Sequence, residues 1–184
     1  MNWKSSTESQ WVTALKWVSF CLFTCPILAG CGVYSFTGAS TAASTIEVAD
    51  FYNNSDLAPA NLSQTFTNRL KDFYQQNSSL KIVTENAELH IEGNIANYQI
   101  SPIAPVASGN AALPDAAALT RLTITIQASY EDTLEPKNSF KNRSFSFYAD
   151  FQNTQDISAI QEDLEKTIFD QILLDIFNAT IANW

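Results

Sequence analysis

The clearest alternation of apolar and polar positions runs from Leu122 to Tyr130, where every second residue is apolar. The residues between them are polar: Thr123, Thr125, Gln127 and Ser129. A period of two predicts a β-strand with one buried face and one wet face. Beyond a turn around residues 135–138, the same alternation returns with Phe145, Phe147 and Phe151. The two segments therefore predict a β-hairpin.

Two other segments carry apolar residues at helical spacing. In the first, from about residue 59 to residue 76, these are Leu62, Phe66, Leu70 and Phe73. In the second they are Ile160, Leu164, Ile168, Ile172 and Ile176. Asp156 and Ser158 are candidate caps of the second segment, where Gln161 would complete a capping box. Each pattern predicts an amphipathic helix with one buried stripe, and the second helix should reach almost to Trp184.

The rest of the pattern predicts more strands and one long loop. Residues 45–51 have the composition of a first strand. Residues 80–103 also alternate, but the phase of their apolar positions changes near Ala96 and Asn97, which predicts a β-bulge. Residues 101–118 contain three prolines and a run of alanines without either period. We expect a long loop there, because the prolines should prevent strand pairing.

The order of the predicted elements is strand, helix, strands, hairpin, helix. Two helices with one apolar stripe each need a single sheet face to cover. We therefore predict an α+β fold, a two-layer α/β sandwich in which a mixed sheet of about four strands carries both helices on one face. The first strand, helix and strand should form a right-handed crossover, which makes those strands parallel. The opposite sheet face should be rich in Thr, Ser and Asn.

The N-terminal segment has the pattern of an export signal. Lys4 and Lys16 precede an apolar run over residues 17–29, which is too short to span a bilayer comfortably. The letters LAG at its end are followed by Cys31, and this sequence resembles the lipobox of a bacterial lipoprotein. The resemblance implies that Cys31 becomes the first mature residue and carries acyl chains such as palmitate on its thiol and amine. An ordinary signal peptide and a short signal anchor are the alternatives.

We therefore predict three parts: a lipoprotein signal peptide at 1–30, a lipidated tether at 31–44 and one α/β domain at 45–184. Cys21 and Cys25 lie in the predicted signal peptide, so the mature chain has no pair of cysteines for a disulfide. The domain must then be held together by its apolar core.

Charge and composition give little support to catalysis or nucleic-acid binding. The formal net charge is −9, which disfavours nucleic acid and anionic lipid surfaces. The single histidine, His90, alternates with Leu89 and Ile91 and is expected to be a solvated strand residue. The densest carboxylates suit the first turns of a helix, and they are Glu162, Asp163 and Glu165. No metal-ligand spacing, phosphate loop or nucleophile motif is present, so we predict no enzyme, metal or cofactor.

Six collinear segments of the predicted mature chain carry a family resemblance: CGVYSFTGAS, LSQTFTNRLKDFY, EGNIANYQISPIAP, RLTITI, FSFYADF and IFNATIANW. Together with the lipobox, they resemble the LptE-like, lipopolysaccharide-assembly lipoprotein family. The resemblance implies a lipid-anchored protein of the outer membrane, at its periplasmic face. It also implies a partner, the LptD-like β-barrel that translocates lipopolysaccharide, whose lumen the protein plugs and whose assembly it supports. No catalytic residue follows from the family.

Function in such a protein would lie in a surface. Lys137, Lys141 and Arg143 gather near the predicted hairpin turn, and Arg121 lies on the same hairpin. These four residues are candidate contacts to an acidic barrel wall or to the phosphates of lipopolysaccharide. A solvated turn whose lysines guard a strand edge is the alternative. A different functional class is a free-standing periplasmic lipoprotein that binds a small amphiphile between sheet and helices.

Overall fold

A computed structural model describes residues 41–103 and 119–181, which form a mixed sheet covered by two helices. The strands are β1 (Thr45–Val48), β2 (Tyr52–Asn53), β3 (Lys81–Ile82), β4 (Leu89–Ile103), β5 (Leu119–Asp132) and β6 (Phe140–Gln152). The helices are α1 (Leu62–Asn77) and α2 (Ile157–Thr180), and a short 3-10 turn spans Pro136–Asn138. The predicted signal peptide, the acylation site Cys31 and residues 104–118 of the predicted loop lie outside the described residues.

The strands follow the spatial order β3, β1, β4, β5, β6, and β2 pairs with β4 next to the end of β1. β1 is parallel to both β3 and β4, which confirms the predicted parallel pairing. The β4, β5 and β6 strands form an antiparallel meander, which confirms the hairpin. The α+β class is also confirmed, but the sheet has six strands instead of about four. The difference arises because β2 and β3 are two residues long and show no alternation.

Strand β4 contains the predicted bulge and extends further than expected. The register with β5 shifts between Ile95 and Asn97, so Ile95 and Tyr98 both lie in the core. The strand then continues through Pro102, which pairs with Thr120, so the expectation that this proline prevents pairing was wrong. The last residue of β2, Asn53, pairs with Ile95. Beyond Ile95, β5 is the only strand among the described residues that pairs with β4. Proline is tolerated in a strand that lacks a partner on one side.

Both helices contribute to one apolar core on a single face of the sheet. Helix α1 buries Leu62, Phe66, Leu70 and Tyr74, whereas Phe73 is half-buried and packs edge-on against Phe177. Helix α2 buries Ile168, Phe169, Ile172, Leu173, Ile176 and Phe177. No helix in the described ranges is long and apolar enough to cross a membrane.

Asp156 is the residue that caps helix α2. Its Oδ1 accepts a hydrogen bond from the backbone N–H of Ser158 at 3.0 Å. The Gln161 side chain instead donates to Glu165 Oε1 at 2.9 Å, so it does not complete the possible capping box. The first turn therefore depends on one of the two candidate caps.

We expect Asp156→Ala to lower the free energy of unfolding by about 1 kcal/mol, since a free backbone N–H loses its acceptor. Ser158→Ala is the matched control and should change it by less than about 0.5 kcal/mol, because that side chain caps nothing. Urea denaturation of both variants measures the difference. Equal losses in the two variants would contradict the assignment of the cap.

Candidate partner interface

The sheet face opposite the helices is polar and carries no helix among the described elements. On β5 its residues are those predicted from the alternation: Thr123, Thr125, Gln127 and Ser129. The Thr125 hydroxyl lies 2.9 Å from the Ser146 hydroxyl of β6, so this hydroxyl pair links the two strands on this face. We call this surface the open face. It confirms the expectation of a face rich in small polar side chains.

One end of the open face carries a rigid cluster of Arg121, Tyr148 and Asp150. The Arg121 guanidinium donates from Nε and from one terminal nitrogen to the two Asp150 oxygens, at 2.7 and 2.8 Å. The same guanidinium lies 3.5 Å from the centre of the Tyr148 ring. These hydrogen bonds lower the pKa of Asp150 below its ordinary value. Arg121 is therefore held by an ion pair on one side and an aromatic ring on the other.

The ion pair between Arg121 and Asp150 should make a contribution to stability that is lost at acid pH. A lowered folded-state pKa stabilises the fold above the ordinary aspartate pKa of 3.8, and that contribution disappears as the pH falls through the folded-state value. We expect the stability difference between the wild type and Arg121→Gln to be constant above about pH 5 and to shrink below it. Denaturation over a pH series measures this. Lys137→Gln, which breaks an exposed pair, is the control, and a difference that grows towards acid pH would contradict the prediction.

The other three candidate residues lie at the opposite end of the hairpin. Lys137 Nζ lies 3.2 Å from Glu135 in the turn. Arg143 lies over two aromatic rings, at 5.5 Å from the centre of Phe140 and 5.3 Å from that of Phe145. No ion pair of Lys141 occurs among the described residues.

The four predicted contacts do not form one patch. Arg121 pairs across the sheet with Asp150, whereas Arg143 pairs with Ala128, seven positions further along β5. At about 3.3 Å per residue, these two pairs are about 23 Å apart. The turn also lies among acidic residues. Glu131 and Asp132 are the last two residues of β5. Glu88 lies beside them, since its backbone carbonyl accepts the N–H of Thr133. The structure thus brings three of the four residues to the turn and leaves Arg121 at the far end.

The residues considered for catalysis either contact neighbouring side chains or lie exposed on the surface. His90 lies on the open face, with Nδ1 3.4 Å from Glu47 and Nε2 3.7 Å from Glu92, and it is one-third exposed. Glu165 accepts the Tyr98 hydroxyl at 3.0 Å, and burial together with this carboxylate raises the pKa of Tyr98. Glu162 and Asp163 are exposed on helix α2. The described part of the chain contains no group of three or more potential metal ligands.

A polar cleft of about 150 Å³ on the open face is the feature that sequence reasoning missed. It forms where β1 ends and β2 begins: Val48 is the last β1 residue paired with β4, and Tyr52 is the first of β2. The Ala49 N–H still donates to the Ile91 carbonyl at 2.9 Å, and Ala49 and Asp50 form one wall of the cleft. The floor consists of Gly93 and Asn94 of β4 with Gln127 and Ser129 of β5, and Asn142 of β6 lies opposite.

Gly93 is the one sequence signal that could have indicated this cleft. It is the only glycine among the described residues and lies inside a strand, where glycine indicates a close approach of other atoms. A Cβ at this position would lie 2.5 Å from Phe51 Cε1 and 2.3 Å from the Gln127 carbonyl oxygen. Phe51 can enter the core only because this space is free.

The family of the chain follows from its sequence over the same region. Residues 43–180, which include the whole described sheet and both helices, match the family model for lipopolysaccharide assembly, LptE. The chain belongs to the lipopolysaccharide-assembly (LptE) family. The family consists of non-enzymatic, membrane-associated lipoproteins that act in lipopolysaccharide assembly, and membership gives this chain that general role. No protein of curated function matches the sequence.

Solved structures provide further comparisons for this family member. A hypothetical protein from Chlamydia trachomatis is 11% identical, with a TM-score of 0.50, covering 77% of this chain and 100% of that one. A minor lipoprotein from Acinetobacter baumannii is 14% identical, with a TM-score of 0.44, covering 76% and 94%. A Xanthomonas campestris protein is 9% identical, with a TM-score of 0.49, covering 79% and 90%. The likeness to the chlamydial protein shows a shared fold alone.

Proposed function

We propose that this protein is an outer-membrane lipoprotein, acylated at Cys31, that sits as a plug in the lumen of an LptD-like β-barrel. In that position it supports assembly of the barrel and delivery of lipopolysaccharide to the cell surface. The match to the lipopolysaccharide-assembly family over residues 43–180 is the observation that carries the proposal.

The open face is the surface that best suits a barrel lumen. The inner wall of a large β-barrel is polar and wet, so a plug must present polar groups to it. The hydroxyl and amide groups of β4, β5 and β6 on this face can exchange water for such a wall without burying a free charge. The Arg121 cluster adds a preorganised arginine and an aromatic ring, residue types enriched among the dominant contacts of interfaces.

The hairpin turn is a second proposed contact. Lys137, Lys141 and Arg143 could meet acidic groups of the barrel wall or phosphates of lipopolysaccharide. Their chemistry fits either anion, although Glu135 already partners Lys137.

Co-purification tests the plug directly. The full chain with a C-terminal tag, extracted in detergent from cells that carry the barrel, should capture a stoichiometric β-barrel. Mass spectrometry of the captured chain should find an acylated N-terminal Cys31. Recovery of the tagged chain alone with a bound amphiphile would contradict the plug and favour the ligand-carrier alternative. An unmodified Cys31, or a chain that still begins at Met1, would contradict the anchor.

Charge reversal separates the turn from the rest of the surface. The triple variant Lys137→Glu, Lys141→Glu, Arg143→Glu should reduce both barrel capture and lipopolysaccharide display if the turn is a contact. Lys166→Glu on helix α2 is a control reversal away from the hairpin. Unchanged capture and display in the triple variant would exclude the turn and leave the open face as the interface.

A further inference from the structure

We propose that the cleft of the open face is a pocket for an arginine side chain of the protein partner. The partner's identity rests on the proposed function, but the pocket is tested without the barrel.

The cleft is built into the backbone and does not depend on a chance arrangement of surface side chains. Its first wall is Ala49 and Asp50, which lie between β1 and β2 just before Phe51 turns into the core over Gly93. Its opposite wall is a bulge in β6, where Asn142 has a φ of 51° and donates its backbone N–H to the Ser129 hydroxyl at 3.1 Å. Asparagine tolerates this left-handed conformation better than most residues. Both walls are therefore fixed by the packing of the sheet.

Asn94 is the polar group that points to a ligand. It exposes 7% of its surface and lines the cleft, and alternation along β4 places its side chain on the open face, opposite Ile95. Its side-chain amide makes no hydrogen bond to any residue in 41–103 or 119–181. The amide atoms are reached from the cleft, since the Tyr130 hydroxyl is the only fully enclosed side-chain group without a partner among the described residues. The Asn94 amide oxygen is therefore an acceptor on the floor of the cleft that a hydrogen-bond donor of a ligand can reach.

The charges at the rim select a cation. The ionisable residues that line the cleft are Asp50 and Glu92, apart from the weakly acidic Tyr52 hydroxyl. Lys71 Nζ approaches one Asp50 oxygen at 3.0 Å, and His90 approaches Glu92 at 3.7 Å, but neither basic group lines the cleft. Tyr52, 58% exposed, presents an aromatic ring at the rim. Carboxylates and an aromatic ring repel an anion and attract a guanidinium or ammonium group.

The shape and acceptors favour arginine over lysine or a free metal ion. Potential acceptors come from three strands and from the segment between β1 and β2: Asp50, Glu92, Asn94, Gln127, Ser129 and Asn142. A planar guanidinium offers five N–H donors in several directions, whereas an ammonium group is a point charge. A volume of 150 Å³ equals about five water molecules, enough for the end of one side chain. An acidic chain of net charge −9 also attracts a basic partner surface over distance.

The test uses Nα-acetyl-arginine amide as the probe and the full chain in detergent. We expect saturable shifts in the NMR signals of the Asn94 side-chain amide and of the Gly93 and Ser129 backbone, with millimolar affinity. The citrulline analogue, which has the same shape without the charge, should bind roughly five-fold more weakly or worse, because charge-assisted hydrogen bonds are about twice as strong as neutral ones. The lysine analogue should also bind more weakly.

Two variants with the same charge change localise the binding. Glu92→Gln removes one rim carboxylate and should weaken the arginine probe roughly five-fold. Glu162→Gln removes an exposed carboxylate of helix α2 and should leave the affinity unchanged. Asn94→Ser provides a second variant in the pocket, and its fold can be checked by circular dichroism before the titration.

The outcomes distinguish the pocket from the plug. Absence of saturable shifts, equal binding of the citrulline analogue, or equal weakening in both glutamate variants overturns the pocket. Binding of inorganic phosphate in place of the arginine probe also overturns it. Intact arginine binding without barrel capture contradicts the plug alone, whereas barrel capture without arginine binding contradicts the pocket alone. Reduced barrel capture by Glu92→Gln, with Glu162→Gln unaffected, supports both.

Discussion

Replacing Phe66 with alanine should lower the free energy of unfolding by about 3–5 kcal/mol. Phe66 exposes none of its surface and is the central ring of the core. Its ring centre lies 5.1 Å from that of Phe51 and 5.0 Å from that of Phe169, both in edge-on geometry. The substitution removes these contacts and leaves a cavity between α1, α2 and the sheet. Because domains of this size are stable by only about 5–15 kcal/mol, much of the stability would be lost.

Chemical denaturation followed by circular dichroism measures this loss. Leu57→Ala is the control, since Leu57 is 70% exposed and its truncation should cost less than about 0.5 kcal/mol. A loss below about 1 kcal/mol for Phe66→Ala would mean that the surrounding rings close the cavity, and the core would be less rigid than its packing indicates.

Gly93→Ala should lower the free energy of unfolding by about 3 kcal/mol, although it adds one methyl group. There is no room for the added methyl group, because the new Cβ would lie 2.3 Å from the Gln127 carbonyl oxygen and 2.5 Å from Phe51 Cε1. The Phe51 ring can move only at the expense of the core, and the Gln127 carbonyl belongs to the paired strand β5. Glu92→Ala, at the adjacent and exposed position, should change stability by less than about 0.5 kcal/mol.

A double-mutant cycle with Phe51→Leu separates the two contacts. If the ring is the main obstacle, Gly93→Ala should cost less in the Phe51→Leu background than in the wild type, and the coupling should be between 0.5 and about 3 kcal/mol. Additive losses would instead assign the strain to the Gln127 carbonyl. A neutral effect of Gly93→Ala in the wild type would contradict the close approach altogether.

Much of the fold could be predicted because its long elements repeat a clear period. The alternation in β5 and the helical spacing in α2 extend over enough residues to specify type and buried face. The phase change near Ala96 even indicated the bulge in β4. The two-residue strands β2 and β3 have too few residues to show a period, and pairing to longer neighbours alone makes them strands. The extension of β4 through Pro102 likewise follows from pairing with β5 and not from a period in the sequence.

The candidate interface was less predictable because it depends on register. Lys137, Lys141 and Arg143 are close in sequence, so their proximity at the turn followed directly. The ion pair of Arg121 with Asp150 depends on the pairing between β5 and β6, which the sequence pattern does not specify to one residue. The cleft requires atoms from the segment after β1 and from β2, β4, β5 and β6 together, and only Gly93 indicates it locally in the sequence.

Strand β6 ends the sheet, and the bulge at Asn142 acts there as protection against aggregation. Among the described strands, β6 has β5 as its only neighbour, so the outer row of backbone N–H and C=O groups along its 13 residues could template a strand of another molecule. A bulge increases the local twist and interrupts such a regular row. Lys141 and Arg143 flank the bulge, and stacking a second copy in parallel register would bring like charges together. By its own geometry, the edge is therefore a poor template for fibril growth.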